Sequence, residues 1–391
     1  MKIVILTPTL YDEKSPFNHL FKDILQSFID SGHEVIRIVA CEDIDNYVKL
    51  VEAGNISYIP IKRKKVEKSN IIFRYINDVL TNIRMARKIK KIKNADVLFE
   101  DVGYSSYWSV KVAKKKKLKV VSMLQDVWPD NAVSSGLIEE NGFIYKFFES
   151  FQKKVYKKSD RIICISDTMK DFIVSKGVDE NKVQVIYNWG YGDSPIKISF
   201  EENVFALQNN LSKEKFYVVY AGNIGRMQNV ELVVDSAEIL KDSKKIQFLI
   251  IGDGVNKEKI ELMVKEKHLE NVMLMPMQPS SLAESIYSIA NINVIPLVDG
   301  GIKTALPSKT GVVLSCGRPV FFCFGESGTF SEKVKKFDGV ESLSSTSAEE
   351  LANKILEYSN KENLICNSEK WFEEDFTRKD NILKYLKSVE F

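Results

Sequence analysis

Residues 292–324 confine the fold of this 391-residue chain more than any other stretch. The apolar run INVIPL (292–297) has the length and composition of a strand buried on both faces of a parallel sheet. Asp299, Gly300 and Gly301 follow, a turn whose backbone is free to approach a ligand. Pro307 and Ser308 suit a helix start, because proline tolerates the first turn and serine can cap. Residues 310–316 make a short helix, with Gly317 as its left-handed stop, and VFFCF (320–324) is the next buried strand. This order places a helix N-terminus at the carboxyl end of a parallel strand, a position suited to an anion. Lys303, Ser308 and Lys309 add a hydroxyl and two positive charges there. An ordinary βαβ unit with solvated lysines has the same pattern, and spacing leaves both readings open.

The same alternation opens the chain. Residues 1–7 read as a strand, and Leu20, Ile24, Leu25 and Phe28 repeat at helical spacing. Gly32 ends that helix and 34–40 is a second strand, the start of a doubly wound α/β fold. No glycine-rich dinucleotide fingerprint stands in the first loop, which argues against an NAD enzyme. Further strands are expected at 96–100, 119–124, 161–166 and 183–187. From 191 to 212 the pattern dissolves, the best linker candidate, and the length favours two domains. A second α/β unit begins at FYVVY (216–220). Two of its strands end in glycine loops, Gly222-Asn223-Ile224-Gly225-Arg226 and Gly252-Asp253-Gly254. Arg226 is a cation well placed for a diphosphate.

QDVWPD (125–130) follows a strand, where α/β sheets place chemistry. Asp126 and Asp130 can bond sugar hydroxyls and Trp128 can stack. Helix capping by the aspartates and burial of Trp128 is the alternative.

Five scattered cysteines without a C-x-x-C pair point to free thiols in a reducing compartment and away from zinc. Three histidines leave little for a metal centre. No apolar run approaches the roughly 18 residues of a spanning helix, and the first residues read as a strand rather than a signal peptide. The net charge of +3 is unevenly spread. Residues 61–93 hold Lys62, Arg63, Lys64, Lys65, Lys68, Arg74, Arg84 and Arg87, interleaved with Ile72, Phe73, Ile76 and Leu80. This reads as an amphipathic helix with cationic flanks, a surface for anionic lipid, and a second basic run at 111–119 supports it. A solvated helix packed on the sheet is the competing reading. No nucleic-acid-binding module is visible, so no nucleic-acid partner is expected.

Six motifs in order, SGHEV (31–35), SDRIICIS (159–166), YNWG (187–190), YAGNIGRMQNVE (220–231), FLIIGDG (248–254) and PSKTGVVLSCGRPV (307–320), resemble the GT-B glycosyltransferases of family four. Within that family the chain is most similar to bacterial surface-polysaccharide transferases of the acetamido-fucose type. The resemblance implies two Rossmann-like doubly wound domains facing a central cleft. An acceptor domain would span 1–195 and a nucleotide-sugar domain 196–365, with a helix at 366–391 crossing back to the first. It implies that Gly222, Asn223, Gly225 and Arg226 face the donor diphosphate. Ser308, Lys309, Lys303 and Pro307 would line its phosphates or ribose, and Gly252 and Asp253 the base. Many members carry two glutamates with seven residues between them, which here fall on Thr304 and Val312. Their phosphate-loop Arg and Lys fall on Asn223 and Gln228, and their acceptor-side histidine on Gln125.

The implied reaction is retaining transfer from a UDP-sugar to a lipid-linked or oligosaccharide acceptor in capsule, O-antigen or exopolysaccharide synthesis. It would take place at the cytoplasmic face of an anionic membrane. Catalysis falls to Arg226, Lys309 and Asp126, with neither metal nor cofactor, since cations and a helix N-terminus can neutralise the leaving diphosphate. Two alternatives remain. One is a non-catalytic nucleotide-sugar-binding partner, suggested by the missing glutamates. The other is a UDP-GlcNAc epimerase-like enzyme on the same fold, which would need a histidine in the cleft from among His19, His33 and His268.

Overall fold

The computed structural model describes residues 1–7, 18–42, 56–65, 71–101, 106–325, 328–362 and 364–391. The polar loop expected at 8–17 and Lys68 lie outside the described residues. Two compact units divide the chain. The first holds Met1–Val133, Ile138–Tyr187 and Ile382–Phe391; the second holds Ser134–Leu137 and Asn188–Asn381.

The first unit is built on seven strands: β1 (Lys2–Thr7), β2 (Glu34–Cys41), β3 (Ile56–Lys62), β4 (Val97–Asp101), β5 (Lys119–Leu124), β6 (Arg161–Cys164) and β7 (Val183–Val185). Their order is β3-β2-β1-β4-β5-β6-β7, and every pair is parallel. The central strands read as near-continuous apolar runs because helices cover a parallel sheet on both faces. Residues 56–62 correct the sequence reading, which began a basic helix at 61. ISYIPIK carries Pro60, which an edge strand tolerates and a helix interior does not. The basic helix itself is Ile71–Lys91. It packs beside the helix Tyr107–Lys115, whose Ser109 N–H donates to Asn82 Oδ1 at 3.1 Å. That helix in turn meets the helix Phe143–Lys158, with Tyr107 and Phe151 ring centroids 5.4 Å apart.

The second unit carries six parallel strands: β8 (Phe216–Asn223), β9 (Ile246–Asp253), β10 (Val272–Met275), β11 (Ile292–Pro296), β12 (Val320–Cys323) and β13 (Val340–Leu343). They lie in the order β10-β9-β8-β11-β12-β13. Val218, Tyr220, Phe248, Val294 and Phe321 pack with Val233 and Ile355 from the helices Val230–Ile239 and Ala348–Ser359. In each sheet the chain order reverses direction beside the first strand, at β1–β4 and at β8–β11. Such switch points open a crevice at the carboxyl ends of the strands.

The boundaries differ from those drawn on the sequence. The units part between Tyr187 and Asn188, not at 195. The supposed linker is fastened to the second unit. Ile196 N–H donates to Ser315 O (2.7 Å), and the Asn203 side chain bonds Ala206 N–H (3.0 Å) and Ser285 O (2.7 Å). Residues 366–381 also stay with the second unit. Trp371 stacks on Phe337 at 5.4 Å and meets Phe322 and Phe330 edge-on or tilted, an aromatic cluster that holds this stretch down. Only Ile382–Phe391 join the first unit, where the Tyr385 ring lies 6.2 Å from Phe99.

Candidate functional site

The two glycine loops of the second unit are strand ends that pair with each other. Gly222 lies opposite Gly252 and Asn223 opposite Asp253. A Cβ on Gly252 would sit 2.0 Å from the Gly222 carbonyl oxygen, so no side chain fits between the loops. Ile224 N–H donates to Asp253 O (2.8 Å) and Asn256 N–H to Ile224 O (3.0 Å), which locks them together. Asp253 accepts from Gly254 N–H at 2.8 Å, closing its own turn, and is exposed.

Asn223 and Gln228, where relatives place an Arg and a Lys, bond to each other: Asn223 Nδ2 donates to Gln228 Oε1 at 3.1 Å across Gly225. Arg226 is the cation of this loop. It is exposed, and among the described residues its side chain has no hydrogen bond or ion pair. Val298 N–H donates to Met227 O (2.9 Å), setting the Arg226 loop beside the turn that leads to exposed Lys303.

Lys309 is the other cation. Its Nζ donates to Ala221 O at 2.9 Å and stands 3.8 Å from the Tyr220 ring centroid, against Gly222. No carboxylate pairs with it among the described residues, and burial lowers its pKa to about 7. Tyr220 Oη donates to Asn223 O (2.5 Å) and Tyr287 Oη to Ala221 O (3.0 Å), so two tyrosines fix the loop that Lys309 touches. Sequence reasoning missed both. Tyr220 left one trace, a phenol closing the run FYVVY two residues before Gly222.

The helix after Pro307 is Thr310–Ser315, six residues, all buried. Ser308 does not cap it: Ser308 is exposed, Lys309 holds the cap position, and no side chain closes that end. The Thr310 hydroxyl donates back to Pro307 O at 2.7 Å instead. So short a helix contributes little dipole, and Lys309 itself carries the charge. A Cβ on Gly311 would lie 2.8 Å from Gly190 N and 3.0 Å from Trp189 C, so the YNWG backbone packs against this helix where only glycine fits. Thr304 and Val312 are buried, Thr304 Oγ1 donating to Gly301 O at 3.0 Å.

In the first unit Asp126 stands exposed at the end of β5. Desolvation by the surrounding protein, and after it the Asp101 charge, push its pKa up to about 6. Asp130, read as a sugar ligand, is a correction. Lys176 Nζ donates to its two oxygens at 2.6 and 2.5 Å and Tyr145 Oη at 2.8 Å, so its lone pairs are committed to the fold. Trp128 is half-buried, edge-on to Phe148 at 5.4 Å. Glu100, which the sequence reading passed over, is buried beside Asp101 and accepts from Ser122 Oγ at 3.1 Å; burial raises its pKa well above the usual range. His33 lies against the chain N-terminus (Met1 N to Nδ1, 3.4 Å), ahead of β2 and so at the amino ends of the strands. His268 sits in a left-handed turn after the helix Lys257–Glu266. Neither is placed to act at the strands' carboxyl ends, and nothing is described of the His19 side chain.

Two family models match in tandem: Glycosyltransferase Family 4 over residues 19–189 and Glycosyl transferases group 1 over 202–371. The putative colanic acid biosynthesis glycosyl transferase WcaI of Escherichia coli K12 is 27% identical over 210 residues, 53% of this chain and 51% of that one. The probable glycosyltransferase WbjE of Pseudomonas aeruginosa is 24% identical over 206 residues, covering 52% and 50%. The chain thus spans about half the length of the curated relatives it matches. Among solved structures, Anabaena Alr3699/HepE, in complex with UDP and glucose, superposes with a TM-score of 0.72 at 12% identity, covering 100% of this chain and 99% of that one. At that identity the likeness shows the fold, GT-B.

Proposed function

The chain belongs to the GT-B glycosyltransferases with a family 4 domain followed by a group 1 domain, and on that premise we propose that it moves a sugar from UDP to a glycan acceptor. The observation that carries this reading is the cationic notch of the second unit. Lys309 and Arg226 stand at paired loop backbones that exclude any side chain, with Lys303 on the neighbouring turn, and among the described residues no carboxylate neutralises Lys309 or Arg226. That is the chemistry of a diphosphate site. The HepE structures with UDP and UDP-glucose support uridine as the base. WcaI, described as a putative colanic acid biosynthesis enzyme, supports a role in bacterial polysaccharide synthesis, and WbjE supports glycosyl transfer. The sugar in this reading is an N-acetylated hexose or deoxyhexose, and the acceptor is lipid-linked and met at the inner membrane face.

Transfer proceeds with retention and without a metal. The bond from the anomeric carbon to the diphosphate oxygen breaks as the acceptor oxygen bonds the same face, and the departing phosphate takes the acceptor's proton. Lys309 and Arg226 stabilise the charge that grows on the leaving group, and Ser308 and Pro307 border it. Asp126, with a pKa about one unit below neutrality, is largely ionised at pH 7 and accepts a hydroxyl of the sugar or acceptor.

A thermal-shift panel with UDP, GDP, ADP, dTDP and CMP, with and without EDTA, tests the reading. UDP alone should raise Tm, because a ligand at 100 times its Kd stabilises by roughly 2.7 kcal/mol, and EDTA should not diminish the shift. A response to GDP instead would move the donor class. Silence with every nucleotide would sink the donor site and favour the non-catalytic reading drawn from Thr304 and Val312. Arg226→Ala should leave Tm unchanged, since the side chain is exposed and among the described residues makes no hydrogen bond or ion pair, and weaken UDP by about tenfold to a hundredfold, the worth of one or two charge-assisted bonds. Unchanged UDP affinity would remove Arg226 from the site.

A further inference from the structure

We infer that the helices Ile71–Lys91 and Phe143–Lys158 of the first unit form a wedge that inserts into the interfacial layer of an anionic lipid bilayer. The inference deepens the proposed function, since it says where a lipid-linked acceptor would be met. It rests on that reading for its purpose alone.

Phe73, Ile76 and Leu80 recur at i, i+3 and i+7 on the first helix and are all exposed, Phe73 by 64%. Phe143, Ile144 and Phe147 on the second are exposed as well, Phe143 by 85%. The two sets are neighbours. Tyr75 lies edge-on to Phe147 at 6.2 Å and to Phe148 at 4.6 Å, so the apolar faces join across one aromatic contact. Six large apolar side chains so open to water on two helices that meet through Tyr75 and Phe147 are far more than the scattered single residues of an ordinary surface.

A protein partner or a second copy could also cover such a patch. The surrounding charge selects lipid. Across these helices and Tyr107–Lys115 between them stand fourteen Lys and Arg and two carboxylates, Asp78 and Glu149. Both carboxylates are already paired, Asp78 with Arg63 at 2.5 Å and Glu149 with Lys153 at 3.1 Å. Exposed Lys146, Lys154 and Arg87 are thus available to headgroup phosphates. The border has the composition of a membrane interface. Lys154 Nζ lies 5.0 Å from the Phe151 ring centroid, and Lys111 Nζ 5.7 and 5.6 Å from those of Tyr107 and Trp108. Ammonium groups held over aromatic rings at the rim of an apolar patch are cation–π pairs, and they keep positive charge at the level where an interfacial aromatic belt meets headgroups. Exposed Glu139 and Glu140, just ahead of the second helix, mark where the basic footprint stops.

Vesicle flotation tests this. The full chain should float with vesicles of phosphatidylcholine and phosphatidylglycerol, and at least tenfold less with phosphatidylcholine alone. Phe143→Ser should lower the partition coefficient severalfold, and Phe143→Ser with Phe147→Ser at least tenfold. Phe143 is exposed enough that its loss should leave Tm unchanged, so misfolding does not obscure the result. High salt should weaken binding of the wild type but not abolish it, because the apolar wedge is unscreened. Wild-type protein that stays at the bottom with anionic vesicles overturns the inference, as does equal flotation of the serine variants. A wild type that sediments as a dimer while the double variant is monomeric assigns the patch to a second copy and overturns it too. UDP affinity, measured on the same variants, should be unchanged. Loss of flotation with intact UDP binding isolates the wedge, whereas loss of UDP response in the wild type concerns only the donor site.

Discussion

Lys309→Met should leave the fold at least as stable as the wild type while lowering the turnover of sugar transfer by about 10²–10³, the usual cost of removing one preorganised donor from a developing anion. The two effects have one cause. In the protein without donor, the Lys309 ammonium has exchanged water for the Ala221 carbonyl and the Tyr220 ring, and burial lowers its pKa to about 7. An unfolded lysine titrates near 10.4. Between those values the unfolded state holds the extra proton, so stability rises with pH across that window, and below pH 7 the full penalty stands. Methionine keeps the stem and removes the penalty. The Tm gain of Lys309→Met should therefore be largest below pH 7 and shrink as pH rises towards 10. Donor binding runs the opposite way. A diphosphate favours the charged lysine, so UDP affinity of the wild type should fall as pH rises above 7, with proton uptake on binding in calorimetry. The methionine variant should bind weakly at every pH. Normal turnover in Lys309→Met, or wild-type UDP affinity that is flat from pH 6.5 to 9, would remove Lys309 from the diphosphate site.

How much of this was legible in the sequence follows from which forces act locally. The buried strands β8, β9, β11 and β12 announce themselves as apolar runs because both faces of a parallel sheet are covered. Strands β3 and β13 lie at sheet edges. ISYIPIK and VESL mix polar and apolar residues, so periodicity gave no signal there. Arg226 stands out in the sequence as a lone cation in a glycine loop, and the structure leaves it exposed there. Asp130 was misread because the cation that claims it, Lys176, is 46 residues away and reaches it only through the fold. Ser308 was misread for the opposite reason: a local rule named it a cap, while the Thr310 hydroxyl takes the Pro307 carbonyl and leaves Ser308 in water. Tyr220 and Tyr287 act on backbone carbonyls, and no residue type in the sequence advertises that a carbonyl will need a donor. The glutamate positions Thr304 and Val312 are packed inside the second unit, so their side chains answer to the core rather than to a ligand.

Gly252→Ala is expected to do the most damage of any single methyl group in the second unit. Its Cβ would stand 2.0 Å from the Gly222 carbonyl oxygen and 3.2 Å from Ile224 Cγ1. The first of these is backbone, held in register by Gly222–Gly252 pairing and by the bonds from Ile224 N–H to Asp253 O and Asn256 N–H to Ile224 O. It cannot swing aside as a side-chain tip would. Relief requires β8 and β9 to part at their ends, at a cost of about 1–3 kcal/mol or more, and the parting displaces the loop that carries Arg226 and backs Lys309. Stability and UDP affinity should fall together, affinity by more than tenfold. Gly177→Ala is the control. Gly177 has φ of +89° with nothing within 4 Å of its added Cβ, so alanine there meets only backbone strain, about 1 kcal/mol. It should lower Tm modestly and leave UDP binding untouched. If Gly252→Ala lowered Tm no more than Gly177→Ala and bound UDP normally, the paired loops would not be the rigid floor of the donor site, and the phosphate contacts would have to be sought on the Lys303 turn.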